Sequence, residues 1–300
     1  MHGHDQFSML TSDYRKKSPM IVSQLTGGLG NQLFQYATGY AAAARAQDSF
    51  EIDVRHYDVV DPNFPSRPFA LGHLAITAPR ISSFTAKRIG LSKRLRLMPG
   101  RFDILVDQAE GFDPRVPAIT DNTYLIGCWQ SELFFADHRS RLLDEFAFRT
   151  APDEKNAELL AAIKAQPSVC VHFRRTDYLG PSTTLRACPP DYYDRALSAM
   201  EESVPGVRYF VFTDDPEWVS RNARLPDNST LVSHNVGSAD IEDFRLMSNC
   251  RHFITANSSF SWWAAWLADH RDKQVIAPAV WYESGHGSEG DLVPQQWRRM

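Results

Sequence analysis

Four short polar clusters carry residue types that bind charged ligands, and each one ends an apolar run. Arg174-Arg175-Thr176-Asp177 follows Ser168–Phe173 (SVCVHF), and Asp214-Asp215 follows Arg208–Thr213 (RYFVFT). Asn257-Ser258-Ser259-Phe260 follows His252–Ala256 (HFITA), and Gly27-Gly28-Leu29-Gly30-Asn31-Gln32 follows Met20–Leu25 (MIVSQL). Adjacent arginines suit a dianionic ligand, because a guanidinium stays charged and its planar fork grips phosphate with two hydrogen bonds. Asn-Ser-Ser ahead of a helix offers hydroxyls and unpaired N–H groups at a positive helix end. Asp214 and Asp215 can accept hydrogen bonds from sugar hydroxyls or from guanine, which presents an N–H and an amino group on one edge. Singly, each cluster has an ordinary structural explanation: a solvated ion pair, or a helix cap. Their recurrence at successive strand ends is what points to a ligand.

The elements that must position these clusters follow from periodicity. Met20–Leu25 reads as a strand, the glycines as a tight turn, Asn31–Ala46 as a helix with apolar residues at helical spacing, and Phe50–Val54 as the next strand. Residues Asp58–Pro79 hold four prolines and read as irregular. Asn122–Gln130 reads as a strand and Ser131–Phe148 as a partly helical continuation; Ala151–Asn156 reads as a link. The second half alternates helices (Ala157–Ala165, Pro190–Glu202, Pro216–Ala223, Ile241–Asn249, Ser261–Asp269) with strands (Ser168–Phe173, Arg208–Thr213, Thr230–Ser233, His252–Ala256, Gln274–Ala277). Short, wholly apolar strands alternating with helices predict a parallel sheet covered on both faces, and such sheets bind ligands beyond the carboxyl ends of their strands.

Composition excludes several classes. A chain of 300 residues has room for about two domains. It is 43% hydrophobic and 23% charged, as ordinary globular proteins are, with a net charge of −4 that argues against nucleic acid as a partner. The four cysteines (Cys128, Cys170, Cys188, Cys250) form no C-x-x-C pair, so no zinc or redox site is encoded locally. No strict D-x-D occurs, which weakens a divalent metal–diphosphate site, and no P-loop, G-x-S-x-G or H-E-x-x-H motif occurs. A nicotinamide dehydrogenase is disfavoured because Gly28-Leu29-Gly30 lacks the third glycine of G-x-G-x-x-G, although Glu51 and Asp53 stand at a suitable distance. No run reaches the length of a membrane span, and the first nineteen residues show no apolar leader. The expectation is a cytoplasmic, reduced protein. Pro79–Arg101 carries Arg80, Lys87, Arg88, Lys93, Arg94, Arg96 and Arg101 with no acid between them, which reads as a solvated helical face or, more sharply, as peripheral contact with anionic lipid at the inner membrane face.

Together the clusters resemble the α-1,2-fucosyltransferases. The matching stretches are GGLGNQLFQYA at Gly27–Ala37, VHFRRTDY at Val171–Tyr178, YFVFTDD at Tyr209–Asp215 and ANSSFSWWAAWL at Ala256–Leu267. The resemblance spans about Met20 to Pro278, with a looser match at GCWQSE, Gly127–Glu132. It implies an α/β chain with the type-B glycosyltransferase fold, two Rossmann-like domains facing a central cleft. The expected division is a polar extension over 1–19, an acceptor-side domain over 20–150 and a donor-binding domain over 156–300 whose C-terminal end packs back on the first. It implies inverting, metal-independent transfer of L-fucose from GDP-β-L-fucose to O2 of a terminal β-galactoside, on an oligosaccharide or glycolipid, with no other cofactor. The alternatives are α-1,6- or protein O-fucosylation sharing H-x-R-R, against both of which SFSWWAAW argues, or a GDP-sugar-binding module without catalysis.

Site roles follow from that resemblance. Arg174 and Arg175 take up charge on the departing diphosphate, with Arg175 the second choice for direct contact. His172 and one of Asp214 and Asp215 contact guanine or ribose, Asn257, Ser258 and Ser259 bind phosphate oxygens, and Phe260 stacks on the base. Gly28, Gly30 and Asn31 let the N-terminal half approach the donor. Asp177 and Glu132 are the candidates for a base at the galactose O2, and leaving-group assistance reduces the need for one. Trp129, Gln130 and Glu132 are acceptor candidates, with Trp129 divided evenly between stacking on galactose and core packing. Trp262, Trp263 and Trp266, at helical spacing, are read as core.

Overall fold

The computed structural model describes residues 19–59, 67–95, 100–108, 111–180, 185–282 and 290–300. The anticipated N-terminal extension lies outside them except for Pro19, as does Arg96 of the basic stretch. Two all-parallel sheets organise the chain. The first has the order β2-β1-β4-β3, from β1 (Met20–Gln24), β2 (Ser49–Asp53), β3 (Asp103–Val106) and β4 (Thr123–Ile126). The second has the order β10-β9-β8-β5-β6-β7. Its strands are β5 (Ser168–Phe173), β6 (Arg208–Thr213), β7 (Ser229–Val232), β8 (His252–Ile254), β9 (Val275–Ala277) and β10 (Arg298–Arg299). This is the α/β architecture with two Rossmann-like sheets that the motifs imply.

The strand orders locate the ligand edge of each sheet. From β5 the chain proceeds outward through β6 and β7, then returns to the other side of β5 as β8. The β5–β8 boundary, paired from Val169↔His252 to Val171↔Ile254, is therefore a topological switch point, where the segments leaving the two strands part and open a crevice. Those segments are Arg174–Asp177 and Asn257–Phe260. In the first sheet the order reverses between β1 and β4, whose ends carry Gly27–Asn31 and Gly127–Gln130. All but one of the polar groupings thus leave strands that border a switch point; Asp214-Asp215 ends the neighbouring β6.

Helices α1 (Leu29–Ala46), α2 (Ser83–Ser92), α3 (Arg139–Glu145), α4 (Glu154–Lys164), α5 (Pro190–Ser203), α6 (Pro216–Asn222), α7 (Asp240–Ser248) and α8 (Ser259–Leu267) complete the fold. α1 and α8 pack on each other and carry one core through both halves. Phe34 meets Trp262 at 4.4 Å and Trp263 at 5.0 Å between ring centroids, and Phe135 stacks on Trp263 at 5.2 Å. Trp262 and Trp263 are wholly buried and Trp266 nearly so, as the core reading expects. Truncating one buried tryptophan of this kind costs about 3–5 kcal/mol.

One close approach of the two halves depends on a glycine. A Cβ on Gly30 would lie 2.4 Å from Ser259 Oγ and 2.5 Å from its carbonyl carbon. Only hydrogen fits there, so the N-terminal turn of α1 rests directly on that of α8.

Local sequence signals missed some boundaries. α8 begins at Ser259, two residues ahead of the predicted start, which makes Ser258 its N-cap. α4 begins inside the predicted link, because Asp153 accepts a hydrogen bond from the Asn156 N–H at 2.9 Å and caps it. β3 and β10 are short edge strands: β3 carries only Ile104-Leu105-Val106 as an apolar run, with both strand ends exposed, and β10 is a pair of exposed arginines.

Candidate functional site

The site is built on the loop that leaves β5. Arg174 donates from Nε to Asp177 Oδ1 at 2.9 Å and from Nη2 to Oδ2 at 2.7 Å. Its Nε also lies 3.4 Å from Asp214 Oδ2. Burial alone would lower the Arg174 guanidinium, but the Asp177 hydrogen bond and both carboxylate charges raise it. Asp214 closes the loop: it accepts from the Arg175 N–H at 2.9 Å, the Thr176 N–H at 3.1 Å and the Thr176 hydroxyl at 2.5 Å. Desolvation pushes the Asp214 carboxyl up, yet Arg174 and these donors hold it below the usual carboxylate range.

Arg175 faces away from this grouping. Its guanidinium carbon lies 3.4 Å from the Trp218 ring centroid, and Nε pairs with Asp215 Oδ2 at 3.4 Å. Asp215 in turn caps α6 by accepting from the Trp218 N–H at 3.1 Å. Arg175 and Asp215 are therefore tied to α6 by cation–π and capping contacts, and Arg175, the second choice for diphosphate contact, is the structurally paired member of the two arginines. The oxygens of Asp214 are likewise engaged by the loop, whereas the Asp215 side chain stays 27% exposed.

His172 is 4% exposed on β5, and its Nδ1 has no partner. Burial first, then the Arg174 charge, lowers its pKa to about 3, so the ring is neutral at physiological pH. The Phe260 ring lies 6.0 Å away, tilted by 37°. Asn257 is not available to phosphate. Its Nδ2 donates to the carbonyls of Arg186 at 3.0 Å and Trp281 at 2.9 Å, and its Oδ1 accepts from the Cys188 thiol. Tyr178 donates its hydroxyl to the Asn257 carbonyl at 3.1 Å, which ties the β5 loop to the segment before α8.

Ser258 and Ser259 sit at an open helix end. Ser258 makes no side-chain cap bond to α8, and Gly28, with no side chain, makes none to α1. The first N–H groups of both helices are thus left for another acceptor, and the Gly30–Ser259 contact holds the two positive ends together. Two glutamines of α1 position the surrounding loops. Gln35 accepts from the Thr26 N–H at 2.8 Å and donates to the Gly127 carbonyl at 3.0 Å; Gln32 donates to the carbonyls of Gly27 at 3.0 Å and Pro68 at 2.9 Å.

On the acceptor side, a chain of hydrogen bonds runs from the Tyr282 hydroxyl to Gln130 Oε1 at 2.7 Å, and from Gln130 Nε2 to Asn31 Oδ1 at 3.0 Å. Trp129 does not join it. Asp107 accepts from the Cys128 and Trp129 N–H groups, and Trp129, at φ 54°, turns its wholly buried ring onto Phe134. It is a core residue with no face for a sugar. Glu132 is bound by the Trp266 indole N–H at 3.0 Å and by Gln296 at 3.4 Å. It thereby joins the two halves. Asp53, which the dinucleotide reading would assign to ribose, is held instead by Arg55 and the Tyr124 hydroxyl.

The residues that sequence reasoning missed are Arg67, which donates to Asp177 at 2.9 Å, Thr176 and Tyr282. Thr176 lay inside a recognised motif; Arg67 and Tyr282 had no local signal. Among the described residues no three His, Cys, Asp or Glu side chains converge as metal ligands would, and no helix is long and apolar enough to cross a membrane.

The profile described as glycosyl transferase family 11 matches residues 10–300. The chain is similar to an α-1,2-colitosyltransferase of Escherichia coli, 31% identical over 293 residues that cover 94% of this chain and 99% of the relative. It is similar to a galactoside 2-alpha-L-fucosyltransferase, SEC1, of Bos taurus, 27% identical over 252 residues, covering 81% of this chain and 62% of that protein. Among solved structures, POFUT1 in complex with GDP superposes with a TM-score of 0.50 at 11% identity, over 87% of this chain and 98% of that one. That likeness concerns the fold alone.

Proposed function

This chain belongs to glycosyl transferase family 11, and on that premise we propose that it transfers L-fucose from GDP-β-L-fucose to O2 of a terminal β-galactoside, with inversion and without a metal. One observation carries the reading: two uncapped helix N-termini touch at Gly30 and Ser259, at switch-point edges, beside the loop that bears Arg174. A diphosphate leaving group needs fixed positive charge where its own charge develops, and this arrangement supplies it from backbone dipoles and one guanidinium. Neutral His172 and Phe260 border the same strand ends and suit the nucleoside. The Asn31–Gln130–Tyr282 chain suits hydroxyl recognition on the acceptor side. Asp177 is ion-paired and Glu132 is bound to Trp266, so leaving-group stabilisation is assigned the larger share of catalysis. We read residues 20–150 as the acceptor-side unit and 156–300 as the donor-side unit.

A second donor is favoured by one finding, the 31% identity to a colitosyltransferase. The test is incubation with GDP-fucose or GDP-colitose, a panel of β-galactosides and EDTA, with the linkage assigned by NMR. An α-1,2-fucosylated product is expected. Transfer from GDP-colitose alone overturns the donor, activity lost to chelator and restored by manganese overturns metal independence, and GDP binding without turnover overturns the enzyme reading.

We also propose that the chain is cytoplasmic and makes peripheral contact with anionic lipid through α2. Phe84, Leu91 and the adjoining Leu95 are 60%, 45% and 52% exposed, beside Lys87 and Arg94, while the Lys93 ammonium lies over the Tyr124 ring. Other basic residues of the stretch serve the fold: Arg88 donates to the Gly100 carbonyl and Arg101 pairs with Asp103. Salt-sensitive co-sedimentation with anionic vesicles, lost in Phe84→Ser/Leu91→Ser, is expected; equal recovery with neutral vesicles overturns the lipid-charge reading.

A further inference from the structure

Asp177 stands where two guanidinium groups from opposite halves of the molecule meet. Arg174 grips both of its oxygens, and Arg67 Nη2 donates to Oδ2 at 2.9 Å. The backbone beside Arg67 is anchored. Gln32, wholly buried in α1, donates to the Pro68 carbonyl at 2.9 Å and accepts from the Ala70 N–H at 2.9 Å. Phe69 packs between the Tyr57 ring and the Arg80 guanidinium. Gln32 directly follows Asn31, so the turn that sets the start of α1 also sets the approach of Arg67 to the second sheet.

A carboxylate held by one guanidinium fork and by an N–H of a second guanidinium presents the same acceptors as one face of a phosphate. The Arg67–Asp177 pair is itself weakly held: the side chains are 41% and 36% exposed, and pairs in such settings contribute about 0–1 kcal/mol. A diphosphate carries more charge and more oxygens than the carboxylate, and its bonds to guanidinium are the stronger ones. Asp214 and Asp240 also lie within electrostatic reach of Arg174, so the exchange leaves that guanidinium with further carboxylate neighbours.

We propose that Arg67 is a donor-binding residue, and that Asp177 holds it and Arg174 in place as a carboxylate stand-in that a nucleoside diphosphate displaces. This inference rests on the GDP-sugar reading above. In it the two halves each contribute a guanidinium to one diphosphate, and Asp177 competes with the ligand instead of activating the acceptor.

Calorimetric titration of the full chain with GDP and with guanosine separates the possibilities. Wild type is expected to bind GDP more tightly than guanosine. Arg67→Ala weakens GDP about 10- to 100-fold, the range expected on losing a hydrogen bond between charged groups, and leaves guanosine unchanged. Arg67→Lys keeps the charge without the fork and falls between the two. Asp177→Asn binds GDP several-fold tighter, because the competing carboxylate is gone. Equal GDP affinity in wild type and Arg67→Ala overturns the assignment of Arg67. Weaker GDP binding in Asp177→Asn, with guanosine unchanged, overturns the stand-in. A wild-type chain that does not bind GDP overturns the nucleotide reading itself and this inference with it.

Discussion

Substituting Gly30 by alanine tests whether the contact between α1 and α8 sets catalytic geometry. The added Cβ would lie 2.4 Å from Ser259 Oγ, 2.7 Å from its Cβ and 2.5 Å from its carbonyl carbon. Ordinary contact begins at 3.4 Å, so the two helix ends must separate by about 1 Å. The backbone carbon cannot rotate aside as a side-chain tip can, and Trp262 and Trp263 behind it are wholly buried. Overpacking of this kind costs roughly 1–3 kcal/mol. A displacement of about 1 Å at a reacting centre costs on the order of 100-fold in rate. Gly28→Ala is the stability control, since nothing lies within 4 Å of its Cβ position. The assays are thermal melting, where each kcal/mol lowers Tm by roughly 2–4 °C, and release of GDP from GDP-fucose. Gly30→Ala is expected to melt several degrees lower and to lose most of its kcat, with Gly28→Ala melting as wild type. A Gly30→Ala chain with wild-type melting and turnover would show that the helix ends are not in contact and would refute the argument.

Arg174→Ala should lower kcat by about 100- to 1,000-fold, as removal of one donor to a developing anion does, whereas Arg175→Ala should lower Tm and change kcat little; equal losses of kcat would contradict the division drawn from Trp218 and Asp177. Trp129→Phe should destabilise the fold and leave the acceptor KM unchanged, because the ring is wholly buried; a raised KM in steady-state kinetics would return Trp129 to the acceptor site. Burial pushes the Asp243 carboxyl up to about 7, opposed by the Asn235 hydrogen bond and reinforced by Asp240 and Glu242. The folded chain therefore keeps a proton that the unfolded chain releases near 3.8, and this group's contribution to stability is lost as pH rises from about 4 to 7. Asp243→Asn should remove that slope, so its gain in Tm over wild type should be larger at pH 8 than at pH 5; a gain independent of pH would place the titration elsewhere.

Much of this molecule is legible along the chain. Ser168–Phe173 and Arg208–Thr213 stand out as buried parallel strands because both sheet faces demand apolar side chains, and a run of them needs no distant information. The polar groups just after such runs fall at the carboxyl edge of the sheet by chain geometry alone. Arg174, the Ser258–Ser259 turn and Gly28–Gly30 are therefore placed at the cleft by their position in sequence. The three tryptophans of α8 announce a buried helix by their spacing.

What lay beyond reach was the partner of each side chain. Arg174 and Arg175 are neighbours of one type, yet one grips Asp177 and the other lies on Trp218, because successive residues leaving a strand point to opposite sides. Trp129 resembles a sugar platform until Asp107 turns its backbone and seals the ring in the core. Arg67 is one arginine in a proline-rich stretch until the two halves close and bring it within 2.9 Å of Asp177. Residue types and their order along the strands determine which chemistry is carried to the cleft. Which oxygen meets which nitrogen there depends on contacts between segments far apart in the chain, and these exist only once the two sheets have packed.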